Sequence, residues 1–242
     1  MSEIGLRQAE LAAGRLARPH DPPALPIPAG LPLEIVHSPL GRATQTADAV
    51  AAALEAARPP EDAGDAGVAP VQVRPEDGFS EIGQGAWEGL HRTVVTERYG
   101  EELAAWRRRP LEAWAPGGES IVEVAARVRP ALRRLLRALA AGRPPGTLDR
   151  SHVRGYGDGP ADQPWSLLVA HDGVFKVTLL TLFDLPLERF WMWSFELCGI
   201  SVVDVVGGRA TLRAHGLTDH LAPLLDERVQ AEATHRQRSG GL

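Results

Sequence analysis

The chain of 242 residues has a single cysteine, Cys198. One thiol excludes an internal disulfide framework and fits a reducing compartment, so a cytoplasmic location is expected. No run approaches the roughly 20 apolar residues that a membrane helix needs. The opening SEIGLRQAELAAGRLAR is charged throughout and lacks the apolar stretch of a signal peptide. An excess of positive charge is also missing. The net charge of −5 argues against a nucleic-acid surface. There is no GxxxxGK loop and no dinucleotide fingerprint. His37, His215 and His220 have no metal-ligand spacing with any cysteine or carboxylate cluster, so neither metal nor cofactor is expected.

What is present is an ordinary apolar fraction, 44%, enough for a real core. Residues 3–17 read as an amphipathic helix with Ile4, Leu11, Ala12 and Leu16 near one face. Six prolines between Pro19 and Pro32 make an irregular connection. Leu33 to Val36 read as a strand. Ser38-Pro39 supplies a good N-cap and first helical residue, predicting a helix to about Ala57. Residues 58–70 read as a polar loop, Val71 to Val73 as a strand, and 78–90 as an ordered Gly-rich loop. After Gly118, Val124, Val128, Leu132, Leu135 and Leu139 recur at helical spacing, with a kink expected at Pro130. Residues 142–164 look like a surface insertion. Ser166 to Ala170 read as a buried strand, and Val174 to Phe183 as a helix. Two β-branched runs meet at Gly207-Gly208 and predict a hairpin. The expected organisation is one α/β domain over 1–225 with a polar tail over 226–242.

Four short motifs carry chemistry. In SPLGRATQTA (38–47), Arg42 falls in the first turn of a predicted helix, where a cation opposes the helix dipole unless an anion binds there. An exposed, solvated arginine fits this segment equally well. In VAHDG (169–173), His171 ends an apolar strand, the place where open α/β sheets bind ligands. The alternative is a core histidine bonded to backbone. In EIGQGAWEG (81–89), Glu81 could serve as a general acid beside a phosphate, or be a surface loop residue. Glu88 is the competing carboxyl, and composition does not choose between them. PGGES (116–120) could be a phosphate nest, and is more simply a turn that starts a helix. Trp87, Trp106, Trp114, Trp191 and Trp193 read as core or pocket wall.

Taken in order, these motifs resemble the histidine phosphatase superfamily, in its phosphoglycerate mutase-like branch. SEIGLRQAE looks like the family's T-x-x-G-x-x-Q-A helix. SPLGRATQTA is similar to S-P-L-x-R-A-x-Q-T-A, the most specific match. EIGQGAWEG looks like E-x-x-x-G-x-W-E-G, and PGGES like GGES. VAHDG looks like VxHGG, with Asp172 where glycine is more usual. LTDHL at 217–221 is similar to the closing N-x-x-x-H-L. The resemblance spans residues 2–221. It implies a three-layer α/β sandwich with a mostly parallel central sheet flanked by helices. It also implies phosphate-ester hydrolysis through a phosphohistidine, with Glu81 as the acid/base and His171 and Arg42 on the phosphate. The expected partner is a small phosphorylated substrate, with no nucleic acid and no membrane, and a homodimer is left open. Phosphatase is favoured over mutase by the WEG form of the acid-bearing loop. A non-catalytic phosphate-binding protein is the third reading, unsupported while Arg42, Glu81 and His171 are retained.

One departure stands out. The family's attacking histidine lies in an N-terminal R-H-G segment on the first central strand, and no Arg-His-Gly occurs here. The chain opens in the family's second element. Losing a central strand would leave buried backbone groups unpaired at about 1–3 kcal/mol each, against a typical stability of about 5–15 kcal/mol. The expectation is therefore a misplaced start codon or an incomplete fragment.

Overall fold

A computed structural model of the chain describes residues 1–28, 30–58, 70–142 and 163–225. Three expected features, the tail after 226 and most of the segments 58–70 and 142–164, lie outside the described residues.

Three short parallel strands form the centre: β1 (Glu34–His37), β2 (Gln72–Pro75) and β3 (Leu167–Val169), in the order β2-β1-β3. Ile35 pairs with both Val73 and Leu167, so β1 is hydrogen-bonded on both edges. Successive side chains of a strand point to opposite faces, and β1 uses both. Ile35 faces one apolar cluster with Ala13, Leu16, Ala47, Val50 and Leu54. Val36 faces the other, with Phe79, Val124, Val128, Val174 and Val177. The first cluster belongs to helices α1 (Glu3–Ala17) and α2 (Gly41–Ala56). The second belongs to α5 (Ile121–Ala141) and α6 (Asp172–Leu182). This is an α/β sandwich with helices on both sheet faces.

Two helices absent from the sequence reading, α3 (Arg92–Arg98) and α4 (Gly100–Arg108), sit beside the acid-bearing loop on a small cluster of Trp87, Val95 and Ala115. The hairpin of β4 (Ile200–Val206) and β5 (Arg209–Leu217) turns at Gly207 and Gly208, both at positive φ. It forms a second, antiparallel sheet, tied to the α1/α2 layer by Ile200 and Leu217. No described helix is long and apolar enough to cross a membrane.

Three local expectations are corrected. Ile4 is 62% exposed; the buried face of α1 is Ala9, Ala12, Ala13 and Leu16, one turn further round. Ser38 does not cap α2. Leu40 occupies the cap position with no side-chain cap bond, and the Ser38 hydroxyl accepts from Leu40 N at 3.3 Å and from His171 at 2.8 Å. β3 is half-buried rather than buried, because it is an edge strand of its sheet. α5 spans 21 residues with Pro130 inside it.

What positions the site is a clamp below it. Ser120 caps α5 in a reciprocal capping box with Glu123. Eight residues on from Glu119, Arg127 donates Nε and Nη2 to both Glu119 oxygens, each at 2.8 Å. Its Nη1 also donates to the carbonyls of Gly78 and Ser80, at 3.1 and 2.6 Å, and its Nη2 to that of Glu81, at 3.1 Å. Glu119 in turn accepts from Gly83 N at 2.9 Å and donates its own amide to Gly83 O at 2.8 Å. Gly85, at φ +45, lies against the backbone of Pro116 to Gly118 with no room for a Cβ. The loop that carries Glu81 is thereby fastened to α5 and to the PGGES turn.

Removing one partner of such a pair leaves the other charge and several carbonyls unmatched. Arg127→Met is expected to cost about 2–4 kcal/mol in urea unfolding. Arg127→Lys should recover less than half, since lysine lacks the planar fork.

Candidate active site

All three strands point their carboxyl ends to one edge. β1 delivers Ser38 and then the start of α2; β3 delivers His171 and the start of α6; β2 delivers the 76–83 loop. Ser38 N donates to Val169 O at 2.9 Å and Glu76 N to His37 O at 2.9 Å, locking these exits side by side. Residues distant in sequence meet here for that reason.

Arg42 Nε donates to His171 Nδ1 at 3.2 Å. A guanidinium only donates, so Nδ1 must be the acceptor and the ring proton sits on Nε2. Nε2–H then donates to Ser38 Oγ at 2.8 Å. Both ring nitrogens are engaged, and His171 is only 7% exposed. Burial first, and then the charges of Arg42 and Arg127, lower its pKa to about 4. The imidazole is therefore neutral at pH 7, with a fixed tautomer and no lone pair free.

Glu81 shares a cavity of about 720 Å³ with Arg42. Burial pushes its pKa up, and the Asp172 charge adds to this. The amide of Ile82, donating at 2.9 Å, and the charges of Arg42 and Arg127 work the other way. The Glu81 carboxyl rests on Gly173, where an added Cβ would lie 3.0 Å from Oε1. Glu88 is engaged differently: its Oε1 accepts from Gln84 N at 3.0 Å and closes the turn. Asp172 begins α6 and is paired with Lys176 at 2.6 Å, whose buried ammonium lies over the rings of Phe190 and Trp191. Trp87 is buried and lines the cavity, whereas Trp114 and Trp191 are each 40% exposed.

The fold thus brings together Arg42, Glu81 and His171 as one group. α2 offers an N-terminus with no capping side chain and no acidic residue in its first turn. An uncapped terminus plus a guanidinium suits an oxyanion. PGGES serves the fold: its Glu119 and Ser120 fasten the acid loop and cap α5. Sequence reasoning missed Ser38, Glu119 and Arg127. Glu119 had a signal, since it lies in a quoted motif. Arg127 had none to separate it from the other arginines of α5. Among the described residues, no three His, Cys, Asp or Glu side chains are grouped to hold a metal.

Comparison with known proteins points the same way. The family model of the histidine phosphatase superfamily (branch 1) matches residues 1–153 and 155–218. Phosphoserine phosphatase 1 of Hydrogenobacter thermophilus is 25% identical over 232 residues, covering 96% of this chain and 87% of that protein. Glucosyl-3-phosphoglycerate phosphatase of Mycobacterium tuberculosis is 34% identical over 194 residues, covering 78% and 67%. The solved structure of a mycobacterial glucosyl-3-phosphoglycerate phosphatase complexed with VO3 superposes with a TM-score of 0.65 at 25% identity, covering 90% of this chain and 87% of that one.

The state of His171 predicts a pH dependence. Unfolded, it takes up a proton near pH 6.5; folded, only near pH 4. Its contribution to stability is full above about pH 6.5 and is lost as the pH falls toward 4. Urea unfolding at pH 7 and pH 5 should show wild type losing about 1–2 kcal/mol more than His171→Asn over that interval. His220, also lowered by burial, is common to both proteins and cancels.

Proposed function

Because the chain belongs to the histidine phosphatase superfamily (branch 1), we propose that it hydrolyses a small phosphorylated metabolite, with Arg42, His171 and Glu81 as its phosphate-handling residues. It is a phosphomonoester hydrolase by family and by its phosphatase relatives. The observation that carries the residue assignment is the Arg42–His171 hydrogen bond with Glu81 half-buried in the cavity that Arg42 also lines.

In this reading the phosphoryl group lies at the N-terminus of α2. The free nitrogens of Arg42 form two charge-assisted hydrogen bonds to its oxygens. Arg42 releases His171 as it turns to the phosphate, and Nδ1, which then takes up a proton from solvent beside the anion, donates a hydrogen bond to an equatorial oxygen, offsetting charge that grows in the transition state. Glu81, favoured in its protonated form by burial and by the neighbouring phosphate, gives its proton to the leaving alcohol. In the family's route the phosphoryl group sits meanwhile on the attacking histidine, and Glu81 then takes a proton from the water that displaces that histidine. The family's covalent route passes through a phosphohistidine formed on an Arg-His-Gly histidine, a segment not found among these 242 residues. His171 is a poor substitute, since its Nδ1 lone pair faces Arg42 and its Nε2 bears the proton.

Two outcomes are expected. Inorganic phosphate or vanadate should raise the melting temperature at fixed ionic strength, as any ligand selective for the native state does. Arg42→Ala should abolish that shift, and Arg42→Lys should keep part of it, having the charge without the fork. An undiminished shift in Arg42→Ala would place the anion elsewhere. Where hydrolysis of an aryl phosphate is measured, Glu81→Gln should lower turnover by about 100-fold or more, and Glu88→Gln by less than about 10-fold. The reverse ranking would reassign the acid.

A further inference from the structure

One charged pair beside the site has no part in the steps above. Asp172 opens α6 directly after His171 and is exposed between two buried residues, His171 and Gly173. Its Oδ2 accepts from Lys176 Nζ, one turn further on, at 2.6 Å. The two ends of the pair are unequal: the Asp172 side chain is 47% exposed and that of Lys176 only 7%. A lysine this buried needs a partner. Here the ammonium has the carboxylate, and it also lies 5.4 Å from the ring centroid of Phe190 and 4.8 Å from that of Trp191.

These contacts fix where the carboxylate stands. Trp191 packs edge-on to Trp106 with centroids 4.8 Å apart, and Trp106 lines the cavity with Arg42 and Glu81. On the other flank, a Cβ on Gly173 would lie 3.0 Å from Glu81 Oε1. The Asp172 charge is felt at Glu81, whose protonated form it favours. A fixed carboxylate is thus held among His171, Glu81 and the aromatic wall. Of the two helices that start at this sheet edge, α2 has no acid in its first turn and α6 has Asp172. Beside a bound phosphate dianion that charge is repulsive, and the Lys176 charge one turn deeper offsets part of the repulsion.

We propose that Asp172 limits how tightly the site holds free phosphate and so favours release of that product, while Lys176 keeps the repulsion small enough for binding. The inference rests on the phosphate site of the reading above and adds to it the charge balance that sets product affinity. Both side chains act through their field on the anion, so the two substitutions should have opposite signs. Asp172→Asn removes a negative charge and keeps an acceptor for Lys176. Lys176→Met removes a positive charge and keeps an apolar stem on Phe190 and Trp191.

Calorimetric titration of the whole chain with inorganic phosphate at pH 7 tests this without turnover. Asp172→Asn should bind phosphate about 5-fold more tightly than wild type, and Lys176→Met about 5-fold more weakly. The double variant should return to within about 2-fold of wild type. Raising the ionic strength from about 0.05 M to about 0.5 M should shrink both single effects, since Asp172 is open to solvent. A purely structural pair would instead give weaker binding in both single variants. Where Lys176→Met does not fold, Asp172→Asn decides alone. Phosphate bound no more tightly by Asp172→Asn than by wild type, or a gain undiminished at the higher salt, overturns the inference. Arg42→Ala separates this from the parent reading. Phosphate that binds through Arg42 with no gain in Asp172→Asn removes only the charge balance. Phosphate that does not bind, or binds equally well to Arg42→Ala, removes the phosphate site and this inference with it.

Discussion

The contact on which the rest depends is the bidentate pair of Arg127 and Glu119. Neither residue faces the cavity. Together they take up three loop carbonyls, one loop amide and each other's charge. A Gly-rich loop has high conformational entropy and little side-chain packing of its own. That pair, with the buried Phe79 and Ile82, holds the loop from which the Glu81 carboxyl reaches toward Arg42. Burial of α5 through Val124, Val128 and Leu132 fixes one side of the clamp. The capping box at Ser120 fixes the other by starting that helix at a defined residue.

The electrostatic state of the site follows from this placement. The Arg42 guanidinium can only donate, so it sets the tautomer of His171, and its charge helps keep that ring neutral. Glu81 is pulled in both directions: burial and Asp172 raise its pKa, while Arg42 and Arg127 lower it. Asp172 itself is matched by Lys176, whose chain is buried against Phe190 and Trp191. Opposed terms of this kind suit a group that must give up a proton and regain it.

Much of the fold was legible because its signals are local. The period of α5 and the paired glycines at 207–208 specify their elements within a few residues. The motif order also led to Arg42, Glu81 and His171, which the fold gathers at one sheet edge. Signals that depend on distant partners were not legible. Ser38 reads as a helix cap, yet its hydroxyl accepts from His171, 133 positions away. Arg127 lies in a helix that also carries Arg129, Arg133, Arg134 and Arg137, and only the fold turns it toward Glu119. The short helices α3 and α4 escaped because neither is long enough to show a period and their apolar residues serve the separate cluster at Trp87. Ile4 was placed on the buried face of α1 by its helical spacing, and lies 62% exposed in the first turn of that helix.

The tight backbone stacking of Gly85 on the 116–118 turn has a consequence for how such a protein can change over generations. Side chains cannot be introduced at that seam, so inheritance of new residues is blocked along the strip that carries the acid. α3 and α4 are under no such restraint. They meet the strip mainly through Trp87, and their outward positions are open to substitution. Variation is thus channelled to the α3 and α4 side of the cavity, while the loop that carries Glu81 stays where it is. A lineage built this way can acquire a new substrate without rebuilding its chemistry.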